Sequence, residues 1–423
     1  MLYRRQFLGG ALAAPLVFNN ALRAMADTAS TAKTRTIQVP IDHAAPAGPG
    51  FPLDYLVLDD FAPAKPTVFV VGDGQQFYVR EDVLPSFRGL FGPDVNIVGI
   101  GGRGSSRVLQ EGFGNPSDQS WIAAYKALQY SQWLADIDAI RIDLLGKDGK
   151  ICIYGVSGGG QLAHTYLAAY GANVRYAYTE SAVFPTLEAE IGLQHDQFWH
   201  EITPNERKRL WDVLSAHPEK REFYAQLLQR QNFFVDLKVL PQERLKLIEA
   251  IAKNDNAAIK KASADYQVDT LNKLMSAPEA WSIRVREYEF AWPLLRNLDW
   301  KKSEFRPDLE DSELWASPLL ALQQRGQIAA PGIDLAPLCD VGAQVTIIAG
   351  RYDHTCDYRT QIALASHYRN HLLRLLDDDH QMHRLKSLSG ARAALLQAWT
   401  KGWDSPAFAQ ALAMIEPIRW HED

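Results

Sequence analysis

A serine stands in a glycine-rich pentapeptide at positions 155–159, Gly-Val-Ser-Gly-Gly, which matches the Gly-x-Ser-x-Gly pattern of a nucleophilic serine. In that pattern the serine lies on a sharp turn between a strand and a helix, and small neighbours are needed because the backbone is crowded there. An apolar run at 151–154 precedes the motif and a helical pattern from Gln161 follows it. The pattern therefore predicts Ser157 as a nucleophile, and the alternative is a glycine-rich turn that only caps a helix.

A serine hydroxyl is a weak nucleophile until a base takes its proton and a carboxylate orients that base. Asp353 follows the predicted strand 345–349, and His380 follows the predicted strand 371–376. These residues come in the order Ser, Asp, His that α/β-hydrolases use, each after a later strand. We therefore predict that His380 is the base and that Asp353 orients it. Two alternatives stay open: His383 is the base, or these groups are surface residues.

Several longer stretches resemble the prolyl aminopeptidase and tripeptidyl aminopeptidase branch of the α/β-hydrolases. Positions 350–356, Gly-Arg-Tyr-Asp-His-Thr-Cys, are similar to the family's acid loop, and 134–145 with 155–170 resemble its nucleophile region. Positions 103–107, Arg-Gly-Ser-Ser-Arg, resemble its Asp-Gln-Arg-Gly segment. The resemblance implies a serine aminopeptidase that acts on short peptides without a cofactor or metal. The rivals are an esterase or amidase with the same triad, and a non-catalytic binding protein on the same scaffold.

The largest departure from that family lies in the turn after its first core strand, where the family carries His-Gly-Gly-Pro-Gly. This chain has Gly72, Asp73 and Gly74 followed by two glutamines. Backbone N–H groups stabilise an oxyanion, so a donor near Asp73 or Gly74 is still expected, with Gly158 supplying the second. A carboxylate at this place opposes a developing negative charge.

Aminopeptidases of this family hold the substrate's free amine with a carboxylate from a helical cap. The segment 283–290 resembles the helix that carries this group, and Glu287 matches its register. Glu287 is therefore the predicted substrate-binding residue, and the alternative is a solvated helix face with mixed charges.

The elements that must position these residues alternate between strands and helices. Short β-branched runs at 68–71, 96–100, 150–155 and 175–179 predict buried parallel strands, and 123–145 and 161–170 predict helices. From 183 to about 325 the pattern is helical, with long helices at 205–228 and 241–258. Strands and helices then alternate again, with helices at 358–369 and 385–403. The sequence thus predicts an α/β-hydrolase fold, mostly parallel, with core segments 27–182 and 326–423 and a helical cap at 183–325.

The N-terminus has the features of an export signal. Arg4 and Arg5 precede a short apolar run at 9–18, and Ala-Met-Ala at 24–26 matches a cleavage site. The paired arginines with Phe7 and Leu8 also resemble the twin-arginine motif. We therefore predict that residues 1–26 direct the precursor to twin-arginine export machinery and are removed. The expected location is the periplasm or the medium, without stable membrane insertion.

Composition limits the partners. The 423 residues carry a net charge of −6, which does not suggest a nucleic-acid partner. A Gly-x-Gly-x-x-Gly pattern at 99–104 has no clear helix behind it, so we do not interpret it as a dinucleotide site. The expected ligand is a small peptide or ester.

Overall fold

A central eight-stranded sheet organises the protein, in a computed structural model that describes residues 31–58, 61–73, 79–193, 203–236, 238–276, 280–296 and 305–421. The strands are β1 (Ala32–Pro40), β2 (Gly50–Leu58), β3 (Thr67–Val71), β4 (Asn96–Ile100), β5 (Ile151–Val156), β6 (Val174–Glu180), β7 (Gln344–Gly350) and β8 (His371–Leu376). Their order in the sheet is β1-β2-β4-β3-β5-β6-β7-β8. The strands from β3 to β8 are parallel, whereas β2 is antiparallel to both of its neighbours. This mostly parallel sheet with its helices confirms the predicted α/β-hydrolase fold.

Helices connect the strands and cover both faces of the sheet. The first group is α1 (Phe87–Phe91), α2 (Arg107–Glu111), α3 (Asp118–Leu128), α4 (Tyr130–Leu145) and α5 (Gly158–Tyr170). Between β6 and β7 come α6 (Pro185–Glu190), α7 (Pro204–Ala216), α8 (Arg221–Phe234), α9 (Leu240–Ala252), α10 (Asn256–Asp265), α11 (Val268–Met275), α12 (Trp281–Leu295) and α13 (Pro307–Gln324). The last group is α14 (Tyr358–Ser366), α15 (His383–Ser387), α16 (Ala391–Trp399) and α17 (Pro406–Ile415).

The inner strands follow the predicted pattern because they are buried on both faces. Every residue of β3, β4 and β5 is buried, as continuous apolar runs in a covered parallel sheet should be. The hairpin of β1 and β2 escapes prediction because β1 is an exposed edge strand with few apolar residues.

Several predicted helices are shorter than expected. The predicted helix at 123–145 is two helices, because Gln129 has an extended backbone between α3 and α4. The predicted helix at 205–228 is also two, since Pro218 follows the end of α7. The predicted helices at 241–258 and 385–403 are likewise interrupted, near Asp255 and Gly390. The periodicity was continuous across these breaks, so apolar spacing alone did not reveal them.

The chain between β6 and β7 is helical throughout its described part, where the cap is predicted. Part of it has a hydrophobic cluster of its own, which includes Leu210, Leu228 and Ile248. The boundaries at 182 and 325 stay predictions, and the signal at 1–26 lies outside the described residues. Within the part of the chain that the structure describes, no helix is both long and apolar enough to span a membrane.

Candidate active site

Ser157 lies between the end of β5 and the start of α5, on a turn that few sequences allow. Its backbone has φ 55° and ψ −124°, a strained combination for a residue with a side chain. Glycines make the turn possible: a Cβ on Gly155 would overlap the carbonyl of Gly159, and one on Gly160 would come within 2.8 Å of Ala182. The turn is fixed to the neighbouring strand because the Ser157 N–H donates to the Glu180 carbonyl at 3.0 Å. The elbow therefore presents the Ser157 hydroxyl beyond the carboxyl end of the sheet.

His380 and Asp353 reach the same edge from β8 and β7. His380 Nε2 lies 3.2 Å from Ser157 Oγ, and His380 Nδ1 lies 2.9 Å from Asp353 Oδ2. Asp353 is 1% exposed, and its Oδ1 accepts the N–H groups of Thr355 and Cys356. The two loops touch closely, since a Cβ on Gly350 would lie 2.5 Å from the Asp378 carbonyl. The structure thus brings together all three predicted triad residues in a hydrogen-bonded series.

The acidic run 377–379 beside His380 is accounted for residue by residue. Asp377 pairs with Arg384, and Asp378 accepts the N–H groups of Arg384 and Leu385 at the start of α15. Asp379 pairs with His383 at 2.6 Å, and the hydrogen bond from this carboxylate raises the pKa of His383. His383, the alternative base, is therefore held by Asp379, whereas His380 contacts the serine.

The oxyanion residues are described only in part. Gly158 is the first residue of α5, where N–H groups have no partner within the helix. Asp73 is fully buried, and a Cβ on Gly158 would overlap its carboxylate. Gly74 lies outside the described residues. The structure therefore places the Asp73 carboxylate directly against the predicted donor, as the turn sequence suggested.

Helix α12 covers this end of the site with Arg286, Glu289 and Phe290. The Phe290 ring lies against Gly158, with its Cζ 2.8 Å from where a Cβ would stand. Arg286 is fully buried and donates to Glu289 Oε2 at 2.9 Å. Glu289 also accepts the backbone N–H of Tyr130 at 2.8 Å, and burial raises its pKa to about 7 against the opposing effect of Arg286.

Glu287, the predicted amine anchor, has a different surrounding. It is half-buried, and its Oε2 accepts a hydrogen bond from Ser312 of α13 at 3.1 Å. The neighbours at 286, 289 and 290 share the face of α12 that covers the serine turn, whereas Glu287 contacts the adjacent helix. The structure does not bring Glu287 into the hydrogen-bonded group around Ser157.

Helix α8 supplies a second contact from the helical region. The Phe233 ring meets the His380 ring edge to face, with centroids 5.6 Å apart and an interplanar angle of 82°. Sequence reasoning missed Phe233, Arg286, Glu289 and Phe290. The spacing of the last three indicates a shared helix face, but no local signal shows which face covers a distant serine.

One group in the described part of the chain has the composition of a metal site. Asp353, Cys356 and His380 have ligand atoms within 4.8 Å of one another. Two of them already hydrogen-bond to each other, and burial raises the pKa of the Cys356 thiol, which disfavours the thiolate that a metal needs. The geometry favours the triad interpretation of these residues.

Neither a protein-family model nor a curated protein matches this chain. Among solved structures, an α/β-hydrolase enzyme from a Medee basin deep-sea metagenome library is 10% identical and has a TM-score of 0.43. That match covers 84% of this chain and 96% of the other. An acetylester hydrolase from Corynebacterium glutamicum is 12% identical with a TM-score of 0.42, covering 88% and 96%. A bromoperoxidase from Bacillus anthracis is 11% identical with a TM-score of 0.42, covering 87% and 100%. Similarities this low carry no information on substrate, and the aminopeptidase resemblance stays a prediction.

Proposed function

We propose that the protein is a serine hydrolase in which Ser157 is the nucleophile, His380 the general base and Asp353 its orienting carboxylate. The observation that carries the proposal is the hydrogen-bonded series from Ser157 through His380 to Asp353 on a strained strand-to-helix turn. Strain of this kind persists where the surrounding structure enforces it, and it concentrates at functional sites.

The chemistry follows from the two nitrogens of His380. Nε2 takes the Ser157 proton as Oγ bonds to the substrate carbonyl, while Nδ1–H donates to Asp353, which stabilises the resulting imidazolium. The N–H of Gly158 donates to the oxyanion. His380 then passes its proton to the leaving amine or alcohol, and an acyl group remains on Ser157. Water, deprotonated by the same histidine, releases the acid and restores the serine.

Labelling with a fluorophosphonate probe tests the nucleophile. The wild-type protein should be labelled at Ser157, and Ser157→Ala should abolish labelling with no change in the thermal unfolding temperature. Ser317→Ala, at an exposed position on α13, is the matched control and should be labelled like the wild type. Full labelling of Ser157→Ala would assign the nucleophile to another serine, and an unlabelled wild type would favour a binding protein on this scaffold.

The substrate class that we propose is short peptides with a free N-terminus, on the strength of the motif resemblance at 134–170 and 350–356. The aromatic rings of Phe233 and Phe290, which lie against His380 and Gly158, support a confined site suited to small substrates. An esterase or amidase is the second candidate, because Glu287 is bonded to Ser312 rather than grouped with the serine. Comparing aminoacyl amides with their N-acylated forms separates the two. An aminopeptidase requires the free amine, whereas an esterase or amidase tolerates acylation.

We also propose export through the twin-arginine route, on the strength of the pattern at residues 4–26. Replacing Arg4 and Arg5 together by lysine should leave the precursor in the cytoplasm, which cell fractionation measures. Unchanged appearance in the periplasm would contradict this route.

A further inference from the structure

The Asp73 carboxylate occupies a place that is unfavourable for the proposed reaction. It is fully buried and packs against Gly158, whose N–H is the described donor to the oxyanion. An ionised carboxylate here repels the negative charge that develops on the substrate oxygen, and the low dielectric of a buried site strengthens the repulsion. A protein that uses this donor needs a counter-charge nearby.

Arg286 of α12 is in position to supply that charge. Its Nη2 lies 3.8 Å from Asp73 Oδ2, and both side chains are almost completely buried. The guanidinium is fixed from the other sides as well: it stacks over the Tyr130 ring at 3.8 Å, and its Nη2 donates to Gln161 of α5 at 3.3 Å. The cation is therefore held rigidly within the wall of the site, and it comes from the helical region rather than from the sheet.

We propose that Arg286 is a positioning residue that compensates the Asp73 charge, so that α12 completes the electrostatics of the oxyanion site. This inference depends on the proposed serine hydrolase function. The guanidinium acts through Asp73: with Arg286 present, the carboxylate's field at Gly158 is reduced, and the N–H can stabilise the oxyanion. Without Arg286, the same carboxylate opposes it.

A double-mutant cycle tests the compensation, with boronic acid affinity and kcat as measurements. A boronic acid forms a tetrahedral, negatively charged adduct with the serine, so its binding reports on the oxyanion site. Arg286→Met should weaken boronic acid binding and lower kcat by about 10- to 100-fold. Asp73→Asn should bind the boronic acid at least as tightly as the wild type. The double variant Asp73→Asn/Arg286→Met should return to within about threefold of Asp73→Asn, since no carboxylate is left to compensate.

Other variants keep the proposal falsifiable if Arg286→Met does not fold. Arg286→Lys retains the charge and should keep affinity within about tenfold of the wild type. A loss of boronic acid affinity in Asp73→Asn would mean that Asp73 supports the oxyanion site, and the proposal would be overturned. It would also be overturned if the double variant were as impaired as Arg286→Met, because Arg286 would then be structural. Fluorophosphonate labelling of the wild type keeps these outcomes distinct from failure of the serine hydrolase proposal.

Discussion

The site has a floor and a roof that were built by different means. The floor is the carboxyl edge of the sheet, where Ser157, Asp353 and His380 follow three strands that share one direction. The roof is formed by α8 and α12, which bring Phe233, Arg286 and Phe290 over the same edge. Strand ends place the floor residues through backbone hydrogen bonds, whereas only packing between helices places the roof residues. Residue roles in the floor are therefore tied to local motifs, and those in the roof depend on which helix face turns inward.

Exchanging the two histidines of the floor should give the largest effect. His380→Ala should lower kcat by about 10²- to 10⁴-fold, the contribution of a general base. His383→Ala should reduce kcat by less than about tenfold, because its imidazole pairs with Asp379 rather than Ser157. Steady-state kinetics on an activated ester measures both. The opposite ranking would move the base to His383 and break the assignment of the floor.

Filling the space at Gly158 tests where the floor and the loop after β3 meet. Gly158→Ala should lower kcat by about 100-fold, because its Cβ would overlap the Asp73 carboxylate and displace the oxyanion donor. Asp73→Gly in the same chain removes the overlap, so the double variant should regain most of that loss. A double variant that stays as slow as Gly158→Ala would show that the carboxylate is not the obstacle.

The roof should reveal itself through pH-dependent stability at Glu289. A carboxyl group whose pKa is raised on folding, here from 4.5 to about 7, binds its proton more tightly in the folded protein. Its stabilising contribution is complete below pH 4.5 and is lost as the pH rises to about 7, at about 1.4 kcal/mol per pH unit. Glu289→Gln has no proton to lose, so its free energy of unfolding should gain on that of the wild type by about 3 kcal/mol over this range.

Urea unfolding at a series of pH values measures this difference. Glu310, whose burial-raised pKa belongs to the pair with Arg221 away from α12, provides a matched variant, Glu310→Gln. It should show its own pH dependence and leave the kinetics unchanged. A constant difference between wild type and Glu289→Gln across the pH range would contradict the buried, proton-binding state of Glu289.

The smallest effect is expected at Glu287. Its carboxylate accepts a hydrogen bond from Ser312, so Glu287→Gln should change kcat/KM for free-amine substrates by less than about threefold. A simple aryl ester, which has no amine, is the control substrate. A loss of about tenfold or more that is confined to free-amine substrates would restore Glu287 as the amine anchor and extend the binding site to that face of α12.

Much of the fold could be predicted from the chain, because buried parallel strands have a strong local signature. The runs at 68–71, 96–100 and 345–349 are apolar and β-branched, and each becomes a fully or almost fully buried strand. The exposed strand β1 has no such signature, and breaks such as the one at Gln129 depend on tertiary contacts. In that case the Tyr130 N–H, just after the break, donates to Glu289 of a distant helix.

The sequence by itself determined which residues follow the strand ends of the floor. The elbow at 155–159 requires glycine because of its own backbone, and the order Ser157, Asp353, His380 is a property of the chain. Tertiary structure alone decided that His380 rather than His383 contacts Ser157, since three neighbouring acids are assigned to other partners. It also decided that Arg286 meets Asp73, 213 positions away, while Glu287 turns to Ser312. The physical reason is that a strand end fixes the place of a side chain through local hydrogen bonds. The rotation of a helix about its axis is set instead by all the surfaces that pack against it.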